Sequence, residues 1–290
     1  MTIISVKETE NEINHSNTSE ISDIKTFWKF NNRLGIKNIL YGIDYHKCLE
    51  YPVAYKQLKL DSNVSTLLDI GTGKHSIFPL YVSYNFPQIN TKITDLGSYV
   101  FKQLDRIKKI KELNVNYQNS KLIIEKQDAT QLTYENNSFD RVSAISSIEH
   151  IPNNGDSDAI KEIHRVLKPG GIAVISVPYN NNCYEEKYRE QTNYSIEKKE
   201  EPVFFSHYYD EEALYNRLIN ISEFELEKIT YLGEKDFSYF NFWCTKVPIR
   251  NCIKYFIGWI NPIMALKYYR ILEETDKNKA QIAVISLIKR

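Results

Sequence analysis

The run Leu68-Asp69-Ile70-Gly71-Thr72-Gly73-Lys74-His75 constrains this chain more than any other feature. An apolar stretch from Val64 to Ile70 precedes it and reads as a buried strand, and a helix-like run begins near Ser76. An acid and two alternate glycines at a strand-to-helix turn make a loop suited to a nucleotide-sized ligand. Glycine lets the backbone turn sharply and removes the side chains that would keep a ligand off it.

Two ligands compete for such a loop, a dinucleotide and S-adenosylmethionine. A dinucleotide loop reads G-x-G-x-x-G, with a third glycine making room for pyrophosphate at the helix N-terminus. Here that position is Ser76, which breaks the match. A carboxylate at Asp69 would repel phosphate, whereas it suits the cationic amino-acid end of S-adenosylmethionine. The balance therefore favours the methyl donor. Asp95 ends a second strand about 20 residues beyond Gly73. Either ligand would use such an acid on its ribose hydroxyls, so it supports an adenosine group without choosing between them.

The alternation continues. Leu122 to Ala129 reads as a third strand ending in Asp128-Ala129, and Phe139 to Ser146 as a fourth running into Ser147-Ile148-Glu149-His150. A helix is predicted from about Ser157 to Val166, stopped by Leu167-Lys168-Pro169-Gly170-Gly171 before the strand Ile172 to Val177. This succession resembles the class I S-adenosylmethionine-dependent methyltransferases, particularly those acting on small molecules, over roughly Asn63 to Val177. The resemblance implies an α/β fold, a Rossmann-like doubly wound seven-stranded sheet with an antiparallel edge strand, carrying helical and aromatic caps. It implies that Asp69, Gly71, Thr72 and Gly73 cradle the methionine part. Asp95, with Leu96 beside it, would hold the ribose diol. Asp128 and Ala129 would face the adenine edge, and Ser146 and Ser147 would lie beneath the cofactor. His75 stands where the family usually has a third small residue.

Each feature has an ordinary reading when taken alone. Two glycines after a strand make a turn, Asp95 can cap a helix, Asp128 can be a solvated loop acid, and Lys168-Pro169-Gly170-Gly171 is a helix stop. Their order and spacing along an alternating chain carry the argument. With 37 Lys plus Arg against 37 Asp plus Glu, no bulk positive field exists to hold a phosphate backbone, so nucleic acid is not an expected partner. Cys48, Cys183, Cys244 and Cys252 form no C-x-x-C pair, which fits reduced thiols in cytoplasm and gives no metal spacing. No signal-peptide pattern and no long apolar run appears, so a cytoplasmic chain without stable membrane insertion is expected.

Composition and the resemblance together imply five regions. Residues 1–22 are polar and read as a flexible tail; 23–62 form a helical cap rich in aromatics (Trp28, Phe30, Tyr41, Tyr45, Tyr51, Tyr55). Residues 63–178 are the cofactor-binding core, and 179–207 a tyrosine-rich lid or insertion. Residues 208–290 complete the core, with strands near Phe224 to Leu232 and Gln281 to Leu287 around an aromatic and basic insertion at 237–272. In that insertion Phe256, Trp259, Ile260, Ile263 and Leu266 are apolar, with Lys254, Lys267 and Arg270 interspersed. Pro248 and Pro262 are expected to interrupt it, which favours a cap or a homodimer contact over one long membrane-surface helix. Phe204 to Asp210 leads into an amphipathic helix, about Glu211 to Asn220, and the resemblance implies an aromatic-rich turn facing the acceptor there.

Methyl transfer displaces an already activated leaving group, so alignment contributes most, with a base where the acceptor has a proton to lose. His150, just past the fourth strand, is the first candidate base, and His207 the second; His75 and His164 are expected to be structural. Glu149, Tyr179, Tyr208 and Tyr209 are the candidates for acceptor contact. The expected reaction moves a methyl group to an O or N atom of a small metabolite, natural product or sugar. A lipid-linked or membrane-proximal acceptor is the alternative within enzymes, and a non-catalytic scaffold that binds the cofactor is the alternative outside them.

Overall fold

The computed structural model describes residues 23–73, 75–102, 122–190, 201–235, 238–239 and 258–290. The sequence-based expectations for the 1–22 tail, for Lys74, for Cys244, Pro248, Cys252, Lys254 and Phe256 lie outside these residues. The chain divides into two compact units, one from Val53–Gly233 with Ile271–Arg290 and a smaller one from Met1–Pro52 with Glu234–Arg270.

The larger unit is built on a sheet in the order β3-β2-β1-β4-β5-β10-β8-β9. Its strands are β1 (Thr66–Ile70), β2 (Asn90–Asp95), β3 (Ile123–Lys126), β4 (Phe139–Ile145), β5 (Leu167–Pro178), β8 (Phe224–Glu234), β9 (Tyr269–Ile271) and β10 (Ala280–Lys289). The first five are mutually parallel, and β10 runs antiparallel to both β5 and β8. The seven expected strands are all present; the short β9 makes eight. The central strands are apolar because both faces are covered: Leu67, Leu68, Val142, Ala144, Ala173, Val174, Ile175 and Val177 are fully buried.

β1 turns into the helix α4 (Ile77–Asn85), and α5 (Gly155–Val166) leads into β5. On α5 the residues Ala159, Ile160, Ile163 and Val166 recur at helical spacing and are fully buried. Asp156 and Asp158 lie in its first turn and Arg165 in its last, each complementing the helix dipole. This parallel order places the carboxyl ends of β1, β2, β3 and β4 along one edge, where open α/β sheets leave a crevice for ligands.

Two expectations for the following segment are corrected. Phe204 to Tyr209 is not a turn: Val203–Tyr208 is a strand (β7) paired antiparallel with β6 (Glu185–Arg189), forming a separate hairpin. The run Glu-Glu-Lys-Tyr-Arg of β6 is mostly exposed, so the apolar alternation that marks a half-buried strand is missing from it. The expected helix from Glu211 to Asn220 is α-helical (α6) only over Glu211–Ala213 and continues as a π-helical segment, Leu214–Ile219. Asp210 caps its start by accepting from the Ala213 amide at 2.8 Å. The wider turn brings Leu214, Leu218 and Ile219 together into the core.

The smaller unit is helical. It contains a helix over 23–33 (α1), α2 (Ile36–Tyr41), the start of α3 (Lys47–Gln57) and α7 (Asn261–Tyr268). Tyr45 packs on Tyr239 and Tyr269, with ring centroids 5.0 and 5.1 Å apart. Pro262 opens α7 where it was expected to interrupt a helix. In the first turn of a helix the amides have no intrahelical partner, so proline at the second position gives up no hydrogen bond and its fixed φ suits the turn.

Candidate active site

A cleft of about 280 Å³ opens at the carboxyl edge of the sheet, lined by Ile70, Gly71, Asp95, Leu96, Gln127, Asp128, Ala129, Thr130, Ser147, Ile148, His150, Ile151 and Pro152. Its floor is the glycine loop. The amides of Gly71 and Thr72 both donate to the Thr94 carbonyl, at 2.9 and 3.1 Å, so β2 fixes where the loop leaves β1. Gly71 has φ +67°, and a Cβ there would collide with the Ser147 side chain. Glycine at 71 is thus required by backbone conformation and by the close approach of the β4 loop.

Asp95 closes the loop. It is buried, and its Oδ2 accepts from the Gly73 amide at 3.0 Å, while Oδ1 accepts from the Gly97 amide at 2.9 Å and from the Tyr99 hydroxyl at 2.7 Å. On the far wall Asp128 Oδ1 accepts from the Thr130 amide and hydroxyl, at 2.9 and 2.7 Å. Both carboxylates line the cleft.

His150 stands opposite, its Nδ1 2.6 Å from the Phe205 carbonyl oxygen. A carbonyl only accepts, so Nδ1 carries a proton, and in the neutral tautomer that this selects the lone pair lies on Nε2. That nitrogen is 3.7 Å from Glu149 Oε1, a carboxylate 1 % exposed. The hairpin sets this geometry. Phe205 lies on β7, its ring centroid 5.0 Å from that of His150, and the Arg189 guanidinium of β6 lies over the Phe205 ring, 3.3 Å from its centroid.

The expected site residues are thus distributed unevenly. Gly71, Asp95, Leu96, Asp128, Ala129, Ser147 and His150 line the cleft. Thr72 and Gly73 sit in the loop that floors it. Asp69 and Ser146 do not line it: Asp69 is buried and accepts from the Ser143 hydroxyl at 2.6 Å, tying β1 to β4, and the Ser146 amide donates to Ser176. Glu149 is buried behind His150. Tyr179 is buried against Tyr231, Tyr209 is fully buried with its hydroxyl donating to Asp156 at 2.8 Å, and the Tyr208 ring lies under Lys187. His75 is exposed, so it does not fill the loop.

His207 is fully buried, with Nε2 donating to the Ile151 carbonyl at 2.9 Å and Nδ1 accepting from the Tyr184 hydroxyl at 2.6 Å. Both ring nitrogens are engaged and neither lines the cleft. Burial lowers its pKa, so the folded ring stays neutral where an unfolded one takes a proton. Stability is then complete above the unfolded value of about 6.5 and is lost as pH falls towards the folded one. Burial likewise lowers His164. Urea unfolding at pH values either side of that figure is expected to show His207→Gln losing less stability on acidification than the wild type. Equal losses would contradict this.

The cleft suits S-adenosylmethionine on two structural counts. Thr72 Oγ1 and Ser147 Oγ are buried hydroxyl oxygens with no hydrogen-bond partner among the described residues, as expected where a polar ligand supplies one. Over Gly73 the space is open, with nothing within 4 Å of where a side chain would begin. The carboxylates of Asp95 and Asp128 favour ribose hydroxyls and a cationic sulfonium over a pyrophosphate.

Comparison with known proteins agrees. Residues 68–175 match the family model described as a methyltransferase domain. Among solved structures, the fold is similar to an S-adenosylmethionine-dependent methyltransferase of Methanosarcina mazei (19 % identity, TM-score 0.50, 82 % of this chain and 97 % of that one). It is also similar to the MccD protein (16 % identity, TM-score 0.50, 83 % and 96 %). A third, from Listeria monocytogenes, is described as an S-adenosylmethionine-dependent methyltransferase (13 % identity, TM-score 0.51, 83 % and 98 %). At these identities the solved structures speak for the fold, and the family match speaks for the domain. Residues 68–175 thus match a methyltransferase domain, and the fold around them is the one seen in S-adenosylmethionine-dependent methyltransferases of known structure.

Proposed function

We propose that this enzyme methylates an O or N atom of a small acceptor (a metabolite, natural product or sugar) with His150 as the general base. The observation that supports this most is the hydrogen bond from His150 Nδ1 to the Phe205 carbonyl, which leaves Nε2 as the basic nitrogen at the cleft. S-adenosylmethionine supplies an electrophilic methyl group on a sulfonium sulfur. Asp95 would hold the ribose hydroxyls, Asp128 and Ala129 the adenine edge, and Thr72, Gly73 and Ser147 the amino-acid end. His150 Nε2 takes the proton of the acceptor hydroxyl or amine, and the Glu149 carboxylate attracts the positive charge that the ring gains. Ile148, Ile151 and Pro152 give the His150 side of the cleft an apolar wall that excludes water.

A small-molecule acceptor fits the charge balance of the chain, which carries equal numbers of basic and acidic residues. Among the described residues no helix is long and apolar enough to cross a membrane. Cytoplasmic placement fits Cys48 and Cys183, both free thiols. Methyl-labelled S-adenosylmethionine incubated with the enzyme and fractionated cell extract tests the assignment. Label is expected in the small-molecule fraction; label confined to RNA or protein would contradict it.

A further inference from the structure

The smaller unit carries a helix that is inside out. On α2, Ile36-Lys37-Asn38-Ile39-Leu40-Tyr41, the buried residue is Asn38, while Ile36, Ile39, Leu40 and Tyr41 are 74, 43, 42 and 40 % exposed. The inversion is built in. Asn38 donates to Asn31 Oδ1 at 2.9 Å, and Asn31 donates back to the Asn38 carbonyl at 2.8 Å, so a buried amide pair fixes which face of α2 looks inward. Ile36, Ile39 and Leu40 recur at helical spacing and share the outward face.

A second segment extends this face. Gly42 and Gly258 bring the end of α2 against the short helix Gly258–Ile260 so closely that a Cβ on either would collide with the other backbone. Trp259, beside that contact, is 43 % exposed, and Ile263, one turn further along, is 39 % exposed. Exposed apolar residues scattered singly are ordinary; six gathered by a reciprocal amide pair and a glycine contact are a surface with a purpose.

The charge around it names the occupant. Lys25, Lys29 and Arg33 recur every four residues along the exposed side of α1, and Lys37 follows on α2; all four are exposed. Among the described acids of this unit Asp44 is exposed and Asp23 half-buried, with Glu50 and Glu234 buried, against four exposed cations. A chain with no net charge thus concentrates a basic row beside an apolar face that includes a tryptophan. Lys and Arg beside exposed Trp, Ile and Leu is the chemistry of an anionic bilayer interface, where the cations meet lipid phosphates and the apolar side chains enter the headgroup boundary. We infer that the face formed by Ile36, Ile39, Leu40, Tyr41, Trp259 and Ile263, flanked by Lys25, Lys29, Arg33 and Lys37, docks this enzyme peripherally on anionic phospholipid membranes. The docking is independent of which acceptor is methylated.

Co-sedimentation of the full chain with vesicles of phosphatidylcholine, alone or with a third phosphatidylglycerol, tests this. The wild type is expected to bind the anionic vesicles, to bind the neutral ones weakly, and to be released by high salt. The variant Ile39→Asp/Leu40→Asp, and separately Lys25→Glu/Lys29→Glu, should each bind at least about tenfold more weakly. Both should keep wild-type affinity for S-adenosylhomocysteine, which shows that the fold is intact. Absence of wild-type binding, or equal binding by the variants, overturns the inference. So does a wild-type dimer in analytical ultracentrifugation that Ile39→Asp/Leu40→Asp dissociates, since the face would then belong to a second copy of the chain.

Discussion

Replacing His150 by alanine is expected to lower kcat by about 10²- to 10⁴-fold, the range that a positioned general base contributes. The affinity for S-adenosylmethionine should stay within about threefold of wild type, since among the described residues the His150 side chain meets Phe205 and Glu149 and makes no bond to the glycine loop or Asp95. His150→Gln should be nearly as slow, because an amide can accept from the acceptor hydroxyl but cannot carry its proton away. The two measurements together, turnover and cofactor titration, distinguish a base from a residue that merely packs. Full activity in either variant would remove His150 from the mechanism.

Asp156→Ala should cost about 3 kcal/mol of stability, the low end of what is lost when one partner of a buried ion pair is removed, since Arg217 keeps some contact with water. Asp156 is fully buried and accepts four hydrogen bonds: from the Ser157 amide at 2.8 Å, the Tyr209 hydroxyl at 2.8 Å, Arg217 Nε at 2.9 Å and Arg217 Nη2 at 2.7 Å. Alanine leaves a partly buried guanidinium without its carboxylate and a fully buried phenol without an acceptor. Thermal unfolding should shift down by roughly 6–12 °C for a unit of this size. Activity should fall as well. Arg217 lies over the Tyr184 ring, and Tyr184 donates to His207, which binds the Ile151 carbonyl beside the cleft. Burial pushes the Tyr184 hydroxyl up to about 12, so it remains a donor throughout the working range. A shift in unfolding temperature of under about 2 °C would show that the pair is dispensable.

How much of this was legible in the sequence depends on where each function resides. The run Leu68 to His75 and the alternation to Val177 were readable because parallel strands buried on both faces form continuous apolar runs. The same order pointed to Asp95, Asp128, Ala129, Ser147 and His150, all at the ends of strands, where this topology must place a cleft. What was hidden works through backbone or through long-range pairing. Phe205 fixes His150 with a carbonyl, which any residue would offer, and its strand pairs with a charged, exposed one. Tyr99 reaches Asp95 from a short helical turn with no periodicity of its own. The Asp156–Arg217 pair joins residues 61 apart in sequence. The outward face of α2 contradicts the ordinary expectation that Ile and Leu are buried, and only the Asn31–Asn38 pair explains the reversal. His207, Tyr208 and Tyr209 were singled out for their chemistry, but the fold uses two of them as buried links under the hairpin.

Calorimetric titration of S-adenosylhomocysteine into the wild-type chain and into Asp95→Ala tests the central claim most directly. Micromolar binding to the wild type is expected. Binding should be at least about 100-fold weaker to the variant, which loses the ribose acceptor and leaves the Gly73 and Gly97 amides without theirs. Equal affinities, or no binding to the wild type, would mean that the loop closed by Asp95 is not where the cofactor sits.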